Sequence, residues 1–351
     1  MTQIQERINA FAALGQFIGQ FTAEPFEKSQ NLPQNDPYFD KMQDVLSRAS
    51  ASNGWFTLDN IRFALQNWSV ALQQENLEKW LAPYNLSDQN DSKTVAIVMA
   101  GNVPLVGFHD FLCVLIAGHS ATVKLSSNDK ILLPFLAEYL QSVAPLFSGR
   151  IQFTTDQLRN FDAVIATGSD NTALYFEHYF GKYPHIIRKN RNSVAILDGN
   201  ETPAQIEKLA DDVFRYFGLG CRNVSKFYVP KGYDWDHFFN GMYTWKAVIN
   251  NHKYMNNYDY NKAVYLMSNI KLLDNEFLLL KEDPGYASPI AVLFYEYYED
   301  KAQLEASLAE HSEKIQCVVA SDALPFGHAQ QPALSDYADG IDTMSFLIEL
   351  S

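Results

Sequence analysis

The sequence predicts an α/β protein built on open, mostly parallel sheets and preceded by a helical region. Three observations predict it. Apolar residues recur at helical spacing through residues 1–90. From Thr94 onward, short apolar runs bounded by Gly, Asn, Asp or Ser alternate with helical stretches. Those runs are apolar on both faces, the pattern of parallel strands covered on two sides.

The elements follow in order. Ile4, Ile8, Phe11, Leu14, Phe17 and Ile18 mark a first helix, which Pro25 ends, and a loop is expected over 31–37. Leu58, Ile61, Leu65, Trp68, Leu72 and Leu77 mark a second helical stretch, read as a layer covering a sheet. The polar segment 85–93 reads as a linker. Strands are expected at 95–99, 121–124, 162–166, 194–197, 226–229, 290–294 and 317–319, with helices at 131–143 and 203–217. The latter has Thr202 as N-cap, Pro203 at its first position and Gly218 past its end. The apolar tail 344–350 is expected as a strand, either internal or at an interface between copies. No internal repeat is found.

Composition removes several function classes. The chain has 351 residues, 47% hydrophobic and 19% charged, which suits two domains with buried cores. A formal net charge of -14 opposes binding to phosphate backbones or anionic lipid. No apolar run is long enough to span a bilayer, and the N-terminus has no basic region before an apolar one, so a cytoplasmic protein without a signal peptide is expected. Three cysteines make no disulfide framework and fit a reducing compartment. The eight histidines never fall three or four apart, no CxxC occurs, and no metal site is expected. The serine-hydrolase elbow GxSxG and the dinucleotide fingerprint GxGxxG are both absent.

Candidate chemistry is concentrated in a few loops. Cys221 sits in Phe217-Gly-Leu-Gly-Cys-Arg-Asn, after a helix and two glycines that allow close backbone approach. Cys113 and Cys317 have aliphatic neighbours and read as core residues, whereas Arg222 beside Cys221 favours thiolate, although the helix C-terminus upstream opposes it. Gly101-Asn102-Val103-Pro104 follows a strand, where open α/β sheets collect ligands, although such a run is also an ordinary turn. Thr122-Val-Lys124-Leu-Ser-Ser127, Ala166-Thr167-Gly168-Ser169 and Lys281-Glu282-Asp-Pro-Gly285 lie at other strand boundaries. Each has a solvated-loop reading that outweighs it individually.

In this order the pieces resemble the aldehyde dehydrogenase superfamily. Gly101-Asn102-Val103-Pro104 resembles the loop bearing that family's oxyanion-binding asparagine. Lys124 sits where its cofactor lysine does, Thr167-Gly168-Ser169 resembles the loop under the cofactor's phosphates, and Gly220-Cys221 resembles the nucleophile site. Glu282 with Gly285 resembles the segment whose glutamate holds the nicotinamide ribose, and Pro325-Phe326-Gly327 a late family element. The resemblance runs from Val95 to the C-terminus. It implies a Rossmann-type cofactor domain and a second α/β catalytic domain, with boundaries expected at 1–189, 190–325 and 326–351. The last segment would return to the cofactor domain or form an interface strand.

The departures narrow the resemblance. The family's glutamate that activates the hydrolytic water falls near Ile187, and the only carboxylate between Asp170 and Asp198 is Glu177. Pro284 replaces a usual aromatic, and the stretch from Cys221 to Glu282 is short. Without that base a thioester persists until a thiol exchanges with it. The pattern is therefore similar to the acyl-CoA reductase branch, the acyl-reducing component of bacterial fatty-acid reductases. The resemblance implies Cys221 as nucleophile and Asn102 as oxyanion donor. Gly101, Lys124, Ser127, Thr167, Gly168, Ser169 and Glu282 would serve the cofactor. Ser127, in place of an acidic residue, and the nearby Lys124 lean the choice to NADPH over NADH. Acyl-CoA is the expected substrate, and a homo-oligomer is expected, as in most relatives. His328 could act as an acid but reads more simply as a surface histidine. The rivals are an oxidising aldehyde dehydrogenase using Glu282 or Glu177 as base, a non-catalytic cofactor-binding subunit, and an acyl-phosphate reductase.

Overall fold

A computed structural model describes residues 2–87 and 91–350, so part of the expected linker, 88–90, lies outside the described residues. The chain divides into two compact units, Met1–Lys189 with Ala333–Ser351, and Asn190–Pro332.

The first unit opens with four helices: α1 (Gln3–Gly19), α2 (Asn35–Ser52), α3 (Leu58–Ala71) and α4 (Gln74–Leu81). Thr2 and Thr57 cap α1 and α3 through their hydroxyls, which accept N–H groups otherwise without a helical partner. The loop expected over 31–37 ends early, because α2 begins at Asn35 and takes Pro37 into its first turn, where proline loses no helical bond. The helices bury Phe11, Leu14, Phe17 and Met42 in a shared core, where the Phe17 ring stacks on Tyr139 with centroids 4.0 Å apart.

The sheet of this unit comprises β1 (Thr94–Val98), β2 (Ser120–Lys124), β3 (Ile151–Thr154), β4 (Ala163–Thr167) and β5 (His185–Arg188). Helices α5 (Phe108–Ile116), α6 (Leu132–Val143) and α7 (Asp170–Phe180) connect them. All pairings are parallel in the order β3-β2-β1-β4-β5. The order reverses at β1, which places a topological switch point between β1 and β4. The strands at both edges escape the sequence pattern: Ile151-Gln-Phe-Thr alternates with polar residues, and His185-Ile-Ile-Arg has only two apolar residues between polar ends.

The second unit contains β6 (Asn192–Ile196), α8 (Pro203–Phe214), β7 (Val224–Pro230), α9 (Trp235–Met242), α10 (His252–Met267), β8 (Leu273–Asp274), β9 (Leu279–Glu282), β10 (Val292–Tyr298), α11 (Lys301–Glu310) and β11 (Ile315–Val319). Its sheet runs β11-β6-β7-β10-β9-β8, parallel except for the short β8–β9 pair. A capping box between Thr202 and Gln205 starts α8. The helix stops at Phe214, short of the expected Phe217, because Tyr216, Phe217 and Gly218 are all left-handed, with φ of 55°, 59° and 76°.

Residues 333–350 return to the first unit and end in α12 (Thr343–Glu349). The tail expected as a strand is thus a helix. Asp342 caps it, and Thr343, Met344 and Leu347 turn inward at helical spacing. Buried polar contacts bind it: Arg188 reaches Asp110 at 2.5 Å and Thr343 at 2.9 Å, and His119 Nε2 lies 2.9 Å from Leu347 O.

Candidate active site

In the first unit, the carboxyl ends of three adjacent strands gather seven of the residues singled out from the sequence. Gly101 and Asn102 follow β1, Lys124 closes β2 with Ser127 beyond it, and Thr167, Gly168 and Ser169 end β4 and lead into α7. Lys124 and Ala166 both pair with Val98, so these loops flank the switch point.

Close packing shapes the loops. A Cβ on Gly101 would lie 2.4 Å from Ser126 Oγ, so only glycine lets the loops after β1 and β2 meet. The β1 loop is further tied to the β2 loop by Leu105, at φ 58°, whose N–H donates to Asp129 Oδ2 at 3.3 Å. Burial lifts the Asp129 carboxyl to about 6, against the opposing pull of the Leu105 and Leu132 amides. Ser169 is the N-cap of α7, its hydroxyl accepting the Thr172 N–H. Asn102 and Lys124 are half-buried and Ser127 is exposed. Among the described residues Lys124 has no ion-pair partner. An ammonium without a carboxylate, three hydroxyls and a glycine-lined turn at a switch point fit the phosphates and ribose of a dinucleotide.

In the second unit, Cys221 lies in the loop between α8 and β7, at the amino end of the sheet, and is exposed, while Cys113 is buried and Cys317 intermediate. The loop is held from beneath. Asn223 is buried. Its Oδ1 accepts the Gly220 N–H at 2.8 Å, and its Nδ2 donates to Arg215 O at 2.6 Å, with Asp212 O and Val213 O at 3.2 and 3.4 Å. The Ser193 hydroxyl donates to Cys221 O at 2.9 Å and lies 3.0 Å from Cys317 Sγ. Arg222 turns its Nε to Ala329 O at 2.5 Å.

Glu282 is exposed at the carboxyl end of β9, a strand that escapes the sequence pattern. Tyr295 of β10 pairs with Glu282 on one side and with Phe227 of β7 on the other. The segment after Glu282 is anchored by Lys226, which is fully buried. Its ammonium donates to Pro284 O at 2.8 Å, pairs with Glu296, and lies over the rings of Tyr228 and Tyr286. Burial pulls this ammonium below the usual lysine range despite Glu296.

Pattern reading passes over Asp212, Ser193, Asn223 and Lys226. Asp212 is fully buried and holds the turn that carries His328, which is itself exposed. Its signal is slight: a carboxylate between Ala210 and Val213, both buried. Among the described residues no group of His, Cys, Asp and Glu could hold a metal ion, and no helix is long and apolar enough to cross a membrane.

The sequence profile of the family described as acyl-CoA reductase (LuxC) matches residues 13–236. The chain belongs to this family. Its fold is that of the aldehyde dehydrogenases. Aldehyde dehydrogenase 21 from Physcomitrella patens, solved with the reaction product succinate, superposes with a TM-score of 0.66 at 13% identity, covering 99% of this chain and 87% of that one. HpcC from Thermus thermophilus gives 0.63 at 11% identity, covering 92% and 71%. An indole-3-acetaldehyde dehydrogenase solved with NAD+ gives 0.60 at 13% identity, covering 93% and 75%. No curated protein is similar enough in sequence to match. Family and fold together make this chain an oxidoreductase of the acyl-CoA and aldehyde class.

Proposed function

We propose that this acyl-CoA reductase converts a fatty acyl-CoA to the aldehyde with NADPH, through a thioester on Cys221. The observation that carries the reading is the exposed thiol on a tethered loop, in a chain whose other cysteines are buried or half-buried. The units of residues 1–189 with 333–351 and of residues 190–332 are assigned as cofactor and catalytic domains respectively.

Cys221 thiolate attacks the acyl carbonyl, forming a new C–S bond. The resulting oxyanion is assigned to the Asn102 side-chain amide and the Cys221 backbone N–H, each donor worth about 3 kcal/mol of transition-state stabilisation. The oxyanion collapses, the bond to CoA sulfur breaks, and CoA departs as thiolate. When bound, the reduced nicotinamide would supply a hydride, the two electrons and the hydrogen that bring the acyl carbon to the aldehyde level. Cys221 then leaves as thiolate and is ready for another acyl group. Lys124, Ser127, Thr167, Gly168 and Ser169 would hold the dinucleotide, with Gly101 giving it room and Glu282 taking the nicotinamide ribose. NADPH is favoured over NADH because Ser127 does not repel a 2′-phosphate, Lys124 attracts one, and Asp129 is turned onto the Leu105 amide.

Two observations support reduction over hydrolysis. Ile187, where a water-activating carboxylate would fall, packs into an apolar cluster with Val98, Phe161 and Phe176. Glu177 is placed 3.7 Å from His185 Nε2. A cytoplasmic homo-oligomer belongs to the same reading.

Incubation with acyl-CoA alone followed by peptide mapping tests the nucleophile, and the acyl adduct is expected on Cys221. An adduct elsewhere, or acid formed without CoA dependence, overturns the reading. Turnover with NADPH against NADH tests the cofactor preference, and faster turnover with NADH reverses it.

A further inference from the structure

We propose that Asp212 and Arg222 are positioning residues that clamp the Gly327–Ala329 turn onto the nucleophile loop and so govern the rate at which Cys221 is acylated. The inference rests on Cys221 as nucleophile and adds the residues that hold it in register.

The clamp grips one residue from both sides. Asp212 Oδ1 accepts the Ala329 N–H at 2.8 Å, while Arg222 Nε donates to Ala329 O at 2.5 Å. Asp212 Oδ2 accepts the Gly327 N–H at 2.6 Å, so the amides of both residues flanking His328 end on one carboxylate. The turn lies flush on α8: Gly327 has φ 82°, and a Cβ there would sit 3.1 Å from Lys208 Cβ and 3.3 Å from Lys208 O. Arg222 is bonded directly to Cys221 in sequence. On its other side Asn223 ties the same loop to the carbonyls that end α8. Helix α8 is therefore the common base of the loop carrying the thiol and of the turn carrying His328.

Asp212 has no exposure to solvent, and its desolvation has to be offset by these charge-assisted bonds. Burial raises its carboxyl to about 7, opposed by the Gly327 and Ala329 amides. Asp211 adds to the rise and Arg222 opposes it; Asp211 is itself paired with Arg215, and Lys208 and His328 are the other titratable groups beside the turn. A protonated carboxyl has a hydroxyl that donates, so one of the two N–H groups would lose its acceptor. The clamp therefore loosens as pH falls through about 7.

The test is rapid-quench acylation of the full chain by octanoyl-CoA without nicotinamide, comparing wild type, Asp212→Asn and Arg222→Met from about pH 5.5 to about pH 8.5. The maximal acylation rate is expected to fall about tenfold in each variant, while the half-saturating octanoyl-CoA concentration changes less than about twofold. The wild-type rise in rate around neutrality is expected to flatten in Asp212→Asn, a change that a merely structural role would not produce. Rates within about twofold of wild type in both variants overturn the proposal. If Asp212→Asn does not fold, the rate of Arg222→Met alone decides. A wild-type chain that is not acylated on Cys221 refutes the nucleophile assignment instead.

Discussion

Asn223→Ala is expected to unfasten the nucleophile loop and lower stability together. The loss has two clear parts: the Gly220 N–H loses its acceptor at 2.8 Å and Arg215 O its donor at 2.6 Å. Both groups are half-buried, so each lost bond is taken at about 1.5 kcal/mol, or about 3 kcal/mol for the pair. Tyr216 and Phe217 favour release of the loop. Both are non-glycine residues held left-handed, at about 1–2 kcal/mol each, so relaxing them offsets part of the stability loss while it loosens the loop. For domains of this size the change lowers Tm by roughly 6–12 °C. Asn223→Asp should be at least as damaging, because an oxygen then faces the carbonyls of Asp212, Val213 and Arg215. Thermal unfolding followed by fluorescence measures the loss of stability. The rate of Cys221 alkylation by iodoacetamide, read by mass spectrometry, measures the loosening of the loop. A Tm within about 2 °C of wild type with unchanged alkylation would refute the tethering argument.

Other substitutions probe the rest of the molecule. Asp110→Ala leaves Arg188 buried without its carboxylate and should cost about 3–5 kcal/mol in denaturant unfolding. Adding Arg188→Met should recover part of that loss, and a double variant as unstable as the single one contradicts it. Gly101→Ala places a methyl against Ser126 and should weaken NADPH binding by about 1–3 kcal/mol, read by nucleotide fluorescence. Ser126→Gly should restore affinity in that background. His119 is held neutral: its Nδ1 accepts the Lys93 N–H, and burial pulls its pKa down, with Arg7, Lys93 and Arg150 acting the same way. A histidine depressed on folding leaves stability intact above the unfolded value of about 6.5 and removes it as pH falls below. Unfolding free energy should thus drop from neutral to mildly acidic pH, and His119→Gln should flatten that slope. An equal slope in the variant would assign it to other groups.

The legible parts of the fold are those whose residues face apolar surroundings on both sides. Central strands such as β1 and β4 announce themselves as unbroken apolar runs, and buried helices such as α6 keep their period. The edge strands β3 and β5 are short and polar at half their positions, and vanish into the connecting loops. The tail Met344-Ser-Phe-Leu-Ile-Glu-Leu suits either period, and the cap at Asp342 selects the helix. At the candidate site, Cys221 stands out because its neighbours are glycine, arginine and asparagine. Asp212 does not, because its partners are backbone amides 115 and 117 residues away, and a backbone amide leaves no mark in a sequence. Asn223 reads only as a polar neighbour of the thiol, since its partners are the main-chain groups of a turn not visible beforehand.

The return of residues 333–350 to the first unit has a bearing on biosynthesis. Three groups laid down early, His109, His119 and Arg188, take Leu334, Leu347 and Thr343 as partners. A ribosome making this chain emits the whole of 190–332 before those partners exist, so the later unit can close first as an insert. Until then the earlier one waits with one hydrogen bond missing at each of the three side chains, and nascent chains arrested before residue 333 should be the form most readily digested by protease.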